Sequence, residues 1–183
     1  MRRVIFLGLS MILLGSSNGL ASPNPRLANL YWLMNNSSQP AIAQQQAQQT
    51  VITLQRTACF GFCPMYKLTI YGDGKVVYEG ERFVKETGTR TTKISQAAVR
   101  QLVKAFKQVN YFALSDNYTG GHTDAPSTIT SLTLGKQQKT IHHYMASPDA
   151  PEALKALEDK IDRVVNTQQW IGTDAERRPQ HLK

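Results

Sequence analysis

From Val51 onward, apolar and polar residues fall into a two-residue period. Ile52 and Leu54 alternate with Thr53 and Gln55, and Tyr66, Leu68 and Ile70 alternate with Lys67, Thr69 and Tyr71. Successive side chains leave a strand on opposite sides, so this period predicts strands with one buried face. Gly72-Asp73-Gly74 separates the second run from Lys75-Val76-Val77-Tyr78-Glu79. Asp-Gly accepts the positive φ of a tight hairpin, so these two runs are expected to fold back on each other. A fourth strand is expected within Arg82–Ile94, interrupted at Gly88.

The period then lengthens. Ser95 fits a helix N-cap, with Ile94 placed to staple onto Val99. Val99, Leu102, Val103 and Phe106 follow at helical spacing and predict an amphipathic helix from Gln96 to about Val109. Thr128–Leu134 and Thr140–Tyr144 read as a second β pair around Gly135-Lys136. Pro148–Pro151 opens a last helix carrying Leu154, Leu157, Ile161 and Val165 on one side, and Trp170-Ile171 closes the folded part. The expected order is β-β-β-β-α-β-β-α. It predicts an α+β domain over residues 51–171, an antiparallel sheet of about six strands with two helices packed on one face. A domain of about 120 residues can bury a core of its own.

The two ends lack that patterning. Met1-Arg2-Arg3 precedes a nearly unbroken apolar run from Val4 to Gly15, and Gly19 and Ala21 supply small residues before Ser22. This is the pattern of a signal peptide over residues 1–21, cleaved after Ala21. The run falls short of the ~20 residues that span a bilayer, so no stable membrane anchor is expected after cleavage. The protein is expected in the periplasm or outside the cell. Residues 22–50, rich in Pro, Asn and Gln, read as a flexible spacer interrupted by the apolar patch Leu27–Met34. Residues 172–183 read as a polar tail.

Composition narrows the partners. The formal charge is +8, and loss of residues 1–21 removes two arginines and no acid, leaving +6. Lys and Arg are scattered among acids with no basic patch interleaved with aromatics. Together with export, that excludes nucleic acid as the expected partner. A protein or small-molecule ligand outside the cytoplasm is expected instead, and no cofactor is implied.

The chain has two cysteines, Cys59 and Cys63. In an oxidising compartment, a close pair reads first as a structural disulfide guarding the start of the second strand, with Gly61 allowing the turn and Pro64 fixing φ. A redox dithiol is a second reading, although reactive pairs sit at helix N-termini and this one leads into a strand. A soft-metal site is the third. C-x-x-x-C-P is similar to the copper motif of thioredoxin-like cytochrome-oxidase assembly proteins, with Met65 and His122, His142 or His143 as further ligands. The strand order does not match a thioredoxin fold.

The string Arg56-Thr57-Ala58-Cys59-Phe60-Gly61-Phe62-Cys63-Pro64-Met65-Tyr66, followed by LTIYGDGKVVYEG, carries a resemblance. With the Tyr118–Asp124 loop and the closing Trp170, it resembles a bacterial family of exported proteins catalogued as domain of unknown function 6438, over roughly Ile52–Ile171. The resemblance implies a compact secreted α+β domain and brings no catalytic residues with it.

Asp116, Tyr118, His122 and Asp124 mark a possible binding loop within Ser115–Pro126. An acid near a histidine can orient a general base, but no G-x-S-x-G elbow or other nucleophile accompanies it. Asx-turns and capping explain the acids equally well. His142 and His143 are strand neighbours and must point to opposite faces, one exposed and the other under the helix layer. Tyr66, Tyr71 and Tyr78 suit cross-strand packing or the lining of a groove. The sequence therefore predicts a non-catalytic exported domain with a binding or structural role. A thiol-redox or copper-handling protein built on Cys59 and Cys63 is the alternative, and a hydrolase using His122 and Asp124 a third reading.

Overall fold

The structure is a computed structural model that describes residues 49–121 and 124–177. The expected signal peptide, spacer residues 22–48, His122, Thr123 and tail residues 178–183 lie outside the described residues. Inside them the chain runs β1 (Thr50–Arg56), β2 (Met65–Tyr71), β3 (Lys75–Arg82), β4 (Gly88–Lys93) and α1 (Gln96–Gln108). A 3-10 turn (Tyr111–Ala113) leads to β5 (Asn117–Tyr118), β6 (Ser127–Leu134), β7 (Gln137–Tyr144) and α2 (Glu152–Val165), and two short helices follow, α3 (Gln168–Ile171) and α4 (Asp174–Arg177).

The strands form one sheet in the order β4-β3-β2-β1-β6-β7-β5. The expected α+β architecture and mostly antiparallel sheet are present, with seven strands in place of about six. The seventh is β5, which pairs in parallel with β7 through Asn117 opposite His142 and Tyr118 opposite His143. Two residues carry no period, so this strand is defined by its docking. The His142 amide donates to the Asp116 carbonyl at 2.8 Å, and Lys139 pairs with the Asp116 carboxylate. Gly120 then passes so close to β7 that a Cβ there would lie 2.6 Å from the Tyr144 ring, which leaves room only for glycine.

Inner-face positions of the strands are fully buried: Ile52, Leu54, Leu68, Ile70, Val76, Tyr78, Leu132 and Ile141. They join Val99, Leu102 and Phe106 of α1 and Leu154, Leu157 and Ile161 of α2 in one cluster. The helical spacing read from the sequence is the spacing of these buried positions. Ser95 caps α1 as expected, its hydroxyl accepting from the Ala98 amide at 3.1 Å. The Gly72–Gly74 turn is closed by a bond from the Gly74 amide to the Tyr71 carbonyl at 2.9 Å, with Gly74 at φ +93°.

The C-terminal end fastens to the β3–β4 connection. Lys85 and Glu86 amides donate to the Ile171 and Trp170 carbonyls, both at 2.9 Å. Trp170 stacks on Tyr78 with ring centroids 4.8 Å apart, and Tyr78 lies 5.7 Å from Tyr66. Of the aromatics that suit cross-strand packing or a groove, Tyr78 is core packing, Tyr66 is buried and also lines a cleft, and Tyr71 is exposed. Within the expected polar tail, Asp174–Arg177 form a helical turn. Glu176 holds it: the Thr173 amide and the Lys85 ammonium at 2.9 Å bring its carboxyl down to about 2.

Removing the Trp170 ring leaves a void against Tyr78. Trp170→Ala is expected to lower unfolding free energy by about 3–5 kcal/mol. Urea denaturation checks this, and a loss below 1 kcal/mol would mean that the C-terminal clasp is dispensable.

Candidate functional site

Strand register builds one end of the molecule. On β1 the inner-face series Ile52, Leu54 continues to Arg56. Tyr66 stands opposite Arg56 on one side and Thr128 on the other; His143 stands opposite Thr128, and Tyr118 beside His143. The last rank of the helix-covered face is therefore polar, where every rank behind it is largely apolar.

Helix α2 meets that rank with acids. Arg56 donates from Nε and Nη2 to Asp162 Oδ2 at 3.3 and 2.8 Å, from Nη2 to Asp159 at 3.2 Å, and from Nη1 to Thr128 Oγ1 at 2.8 Å. Asp162 Oδ1 accepts from the Tyr66 hydroxyl at 2.7 Å and from Thr167 at 3.1 Å. Asp159 also takes Lys155 at 3.1 Å. Burial works to lower the basicity of Arg56, but Asp162 together with Tyr66 and Glu158 outweighs it and keeps the guanidinium firmly charged. Burial first, and Asp162 second, push the Tyr66 hydroxyl far up, so it acts as a neutral donor. Arg56 and Asp162 side chains are 16% and 18% exposed, which makes the pair costly to break from one side.

Beside it, His143 Nδ1 lies 3.1 and 3.0 Å from the two carboxyl oxygens of Glu158. Both residues are buried. The expectation that one histidine of the pair would face the helices is met by His143, with His142 exposed. Desolvation raises the Glu158 pKa, opposed by the hydrogen bond to His143.

The cluster forms the floor of a cleft of about 320 Å³ whose walls include Pro64, Pro126, Met145, Ile171 and Arg177. Cys63 reaches the same cleft from the β1–β2 loop. Cys59 and Cys63 are joined as a disulfide, with Cα atoms 5.7 Å apart. So short a loop gains about 2 kcal/mol from the bridge in the chain-entropy model, enough to fix its shape and too little to replace a core. The Thr57 amide donates to the Ser127 carbonyl and the Phe60 amide to the Asp124 carbonyl, both at 3.0 Å. Phe62 packs edge-on against Phe83 at 5.2 Å, while Phe60 at the tip is 90% exposed.

Of the residues singled out by sequence, Cys63 and Tyr66 line the cleft, while the other described ones do not converge on it. Met65 opens β2, Asp116 and Tyr118 lie on the β5 edge, and Asp124 lies under the disulfide loop. His122 is outside the described residues. Among the described residues, no group of three or more His, Cys, Asp and Glu side chains could hold a metal ion. The cluster that does converge was not anticipated, although two signals were present: an arginine at inner-face parity in β1, and Glu158 among the apolar positions of α2.

Fold and site together define a small α+β domain with a disulfide-closed loop above a self-neutralised polar cleft. A family model described as domain of unknown function 6438 matches residues 50–165, and the chain belongs to that family. Comparison with curated proteins found no match.

Asp162→Ala strands Arg56 in a buried setting and is expected to cost about 3–5 kcal/mol by urea denaturation. A cost under 1 kcal/mol would show that the pair does not organise this end. Glu158 should respond to pH. Its folded pKa is raised, so its contribution is fully present below the ordinary value of 4.5 and is lost as pH rises through the folded pKa. The stability of the wild type relative to Glu158→Gln is therefore expected to fall as pH rises above the ordinary value of 4.5 and through the raised folded pKa. A difference that grows as pH rises above that value would contradict the assignment.

Proposed function

We propose that this chain is an exported, non-catalytic domain that binds a protein partner outside the cytoplasm through the tip of its disulfide loop. The observation that carries this is Phe60, 90% exposed at the tip of the Cys59–Cys63 loop. An aromatic side chain in open solvent gains about 1.5–3 kcal/mol when a partner covers it. The disulfide and the Phe60–Asp124 backbone bond order the loop in advance, so little entropy is lost on binding. Aromatic residues, Phe among them, are enriched at the cores of protein interfaces.

Export is supported by the charged, apolar and small-residue segments of residues 1–21 and by the bridged cysteines, which persist in oxidising compartments. A non-catalytic role is supported by the cleft floor, where Arg56, Asp159, Asp162, Tyr66 and Thr128 are engaged with one another.

A photo-crosslinking amino acid at position 60, introduced into the full chain in the producing cells, is expected to give a discrete protein adduct on a chain beginning at Ser22. The same group at Lys136, exposed in the β6–β7 turn, is expected to give none. Equal labelling from both positions, or no adduct from position 60, overturns the Phe60 contact. A chain still carrying residues 1–21 overturns export.

A further inference from the structure

Cations that read as scattered among acids along the chain are gathered by the fold. From Thr87 to Ser115 the chain holds five cations and no acid. Three of them, Arg100, Lys104 and Lys107, are exposed on α1 at i, i+4 and i+7, opposite the buried Val99, Leu102, Ala105 and Phe106. α1 packs against α2, on which Lys160 is half-buried and Arg163 exposed. Among the described residues, none of these five side chains makes an ion pair. Elsewhere the chain does pair its helix charges, as with Lys155 and Asp159 at i, i+4. Arg100 and Lys104 have that same spacing with like charge, an arrangement that weakens a helix and brings no benefit within the domain. The other lysines and arginines between residues 49 and 177 number eleven against thirteen acids, so these five supply the basic excess of that region.

We propose that the outward face of α1 and α2 docks the protein on an anionic lipid surface, with Arg100, Lys104 and Lys107 as its main contacts and Lys160 and Arg163 beside them. Charge complementarity carries the assignment, and the character of the face selects lipid over an acidic protein. Apart from Glu152, the remaining exposed positions of the two helices are glutamines and alanines. The exposed large apolar residues, Phe60 and Tyr71, lie on other elements. Protein interfaces need an apolar, aromatic core, which this face lacks. A layer of lipid phosphates asks only for cations that reach it together, and long Lys and Arg side chains rising past Gln and Ala do so. Without an apolar wedge the contact stays at headgroup level, so it is reversible and screened by salt. Docking through this face does not depend on a partner at Phe60.

The test is co-sedimentation of the full mature chain with phosphatidylcholine vesicles, with and without phosphatidylglycerol. Binding is expected only where phosphatidylglycerol is present, and it is expected to disappear between about 0.1 M and about 1 M salt. The triple variant Arg100→Gln, Lys104→Gln, Lys107→Gln is expected to bind at least about tenfold more weakly. Lys67→Gln, Lys75→Gln, Lys136→Gln removes the same charge from exposed positions on other elements and is expected to bind nearly as the wild type does. Amine acetylation of the wild type gives the answer independently if a variant folds poorly: vesicles should shield Lys104 and Lys107 and leave Lys67 and Lys136 reactive. No phosphatidylglycerol-dependent binding, equal weakening by the two triple variants, or equal shielding of all four lysines overturns the proposal. Displacement from the vesicles by soluble polyglutamate at equal charge also overturns it, and assigns the face to an acidic polypeptide.

Discussion

The contact between Arg56 and Asp162 is the constraint around which this molecule is arranged. An arginine on the inner parity of a central strand cannot be left without a counter-charge, and α2 can supply one only if it crosses the sheet with Asp159 and Asp162 over the last rank. That crossing sets the rest. Glu158, one position earlier, then falls on His143, and Leu154, Leu157 and Ile161 fall on the apolar ranks. The turn after α2 brings Thr167 back to Asp162 and Trp170 onto Tyr78. A shift of one turn in α2 would uncouple all of these together, so the polar rank acts as a register mark for an otherwise uniform apolar interface.

The molecule divides its tasks between its two ends. The helix-covered apolar ranks carry the stability, while the loops at the polar end carry exposed chemistry on a rigid base. At that end, backbone bonds tie the β1–β2 loop to the segment before β6, and the bridge closes it on itself. The exposed ring of Phe60 and the lined cleft are neighbours through Cys63 and Pro64, yet they offer opposite surfaces, a projecting knob and a concave wall.

Much of the framework was legible because it depends on periodicity. The alternation at Ile52 and Leu54, the Asp73-Gly74 turn, Ser95 and the stripe from Leu154 to Val165 each specify a local geometry that tertiary packing then confirmed. The α4 turn and β5 were not legible, because they exist through contacts with Lys85 and His142 that lie far away in sequence. The cleft was hidden for a related reason. Arg56, Tyr66, Thr128 and Asp162 are spread along the chain, and only the pairing of β1 with both β2 and β6 makes them neighbours. The backbone carbonyls of the loop residues Asp116 and Asp124 accept from His142 and Phe60, and the Asp116 carboxylate pairs with Lys139.

The central position of β1 has a consequence for how the chain is made. It acquires β2 after one short loop, but its other neighbour is β6, and the cross-strand partners Arg56 and Thr128 are 72 positions apart. A chain emerging from its N-terminal side can zip β1 to β4 early, yet one edge of β1 stays unpaired and Arg56 lacks its carboxylates until α2 appears. The Trp170 clasp comes later still. The nascent protein thus has no closed, resistant state until Trp170 has been added and packed on Tyr78.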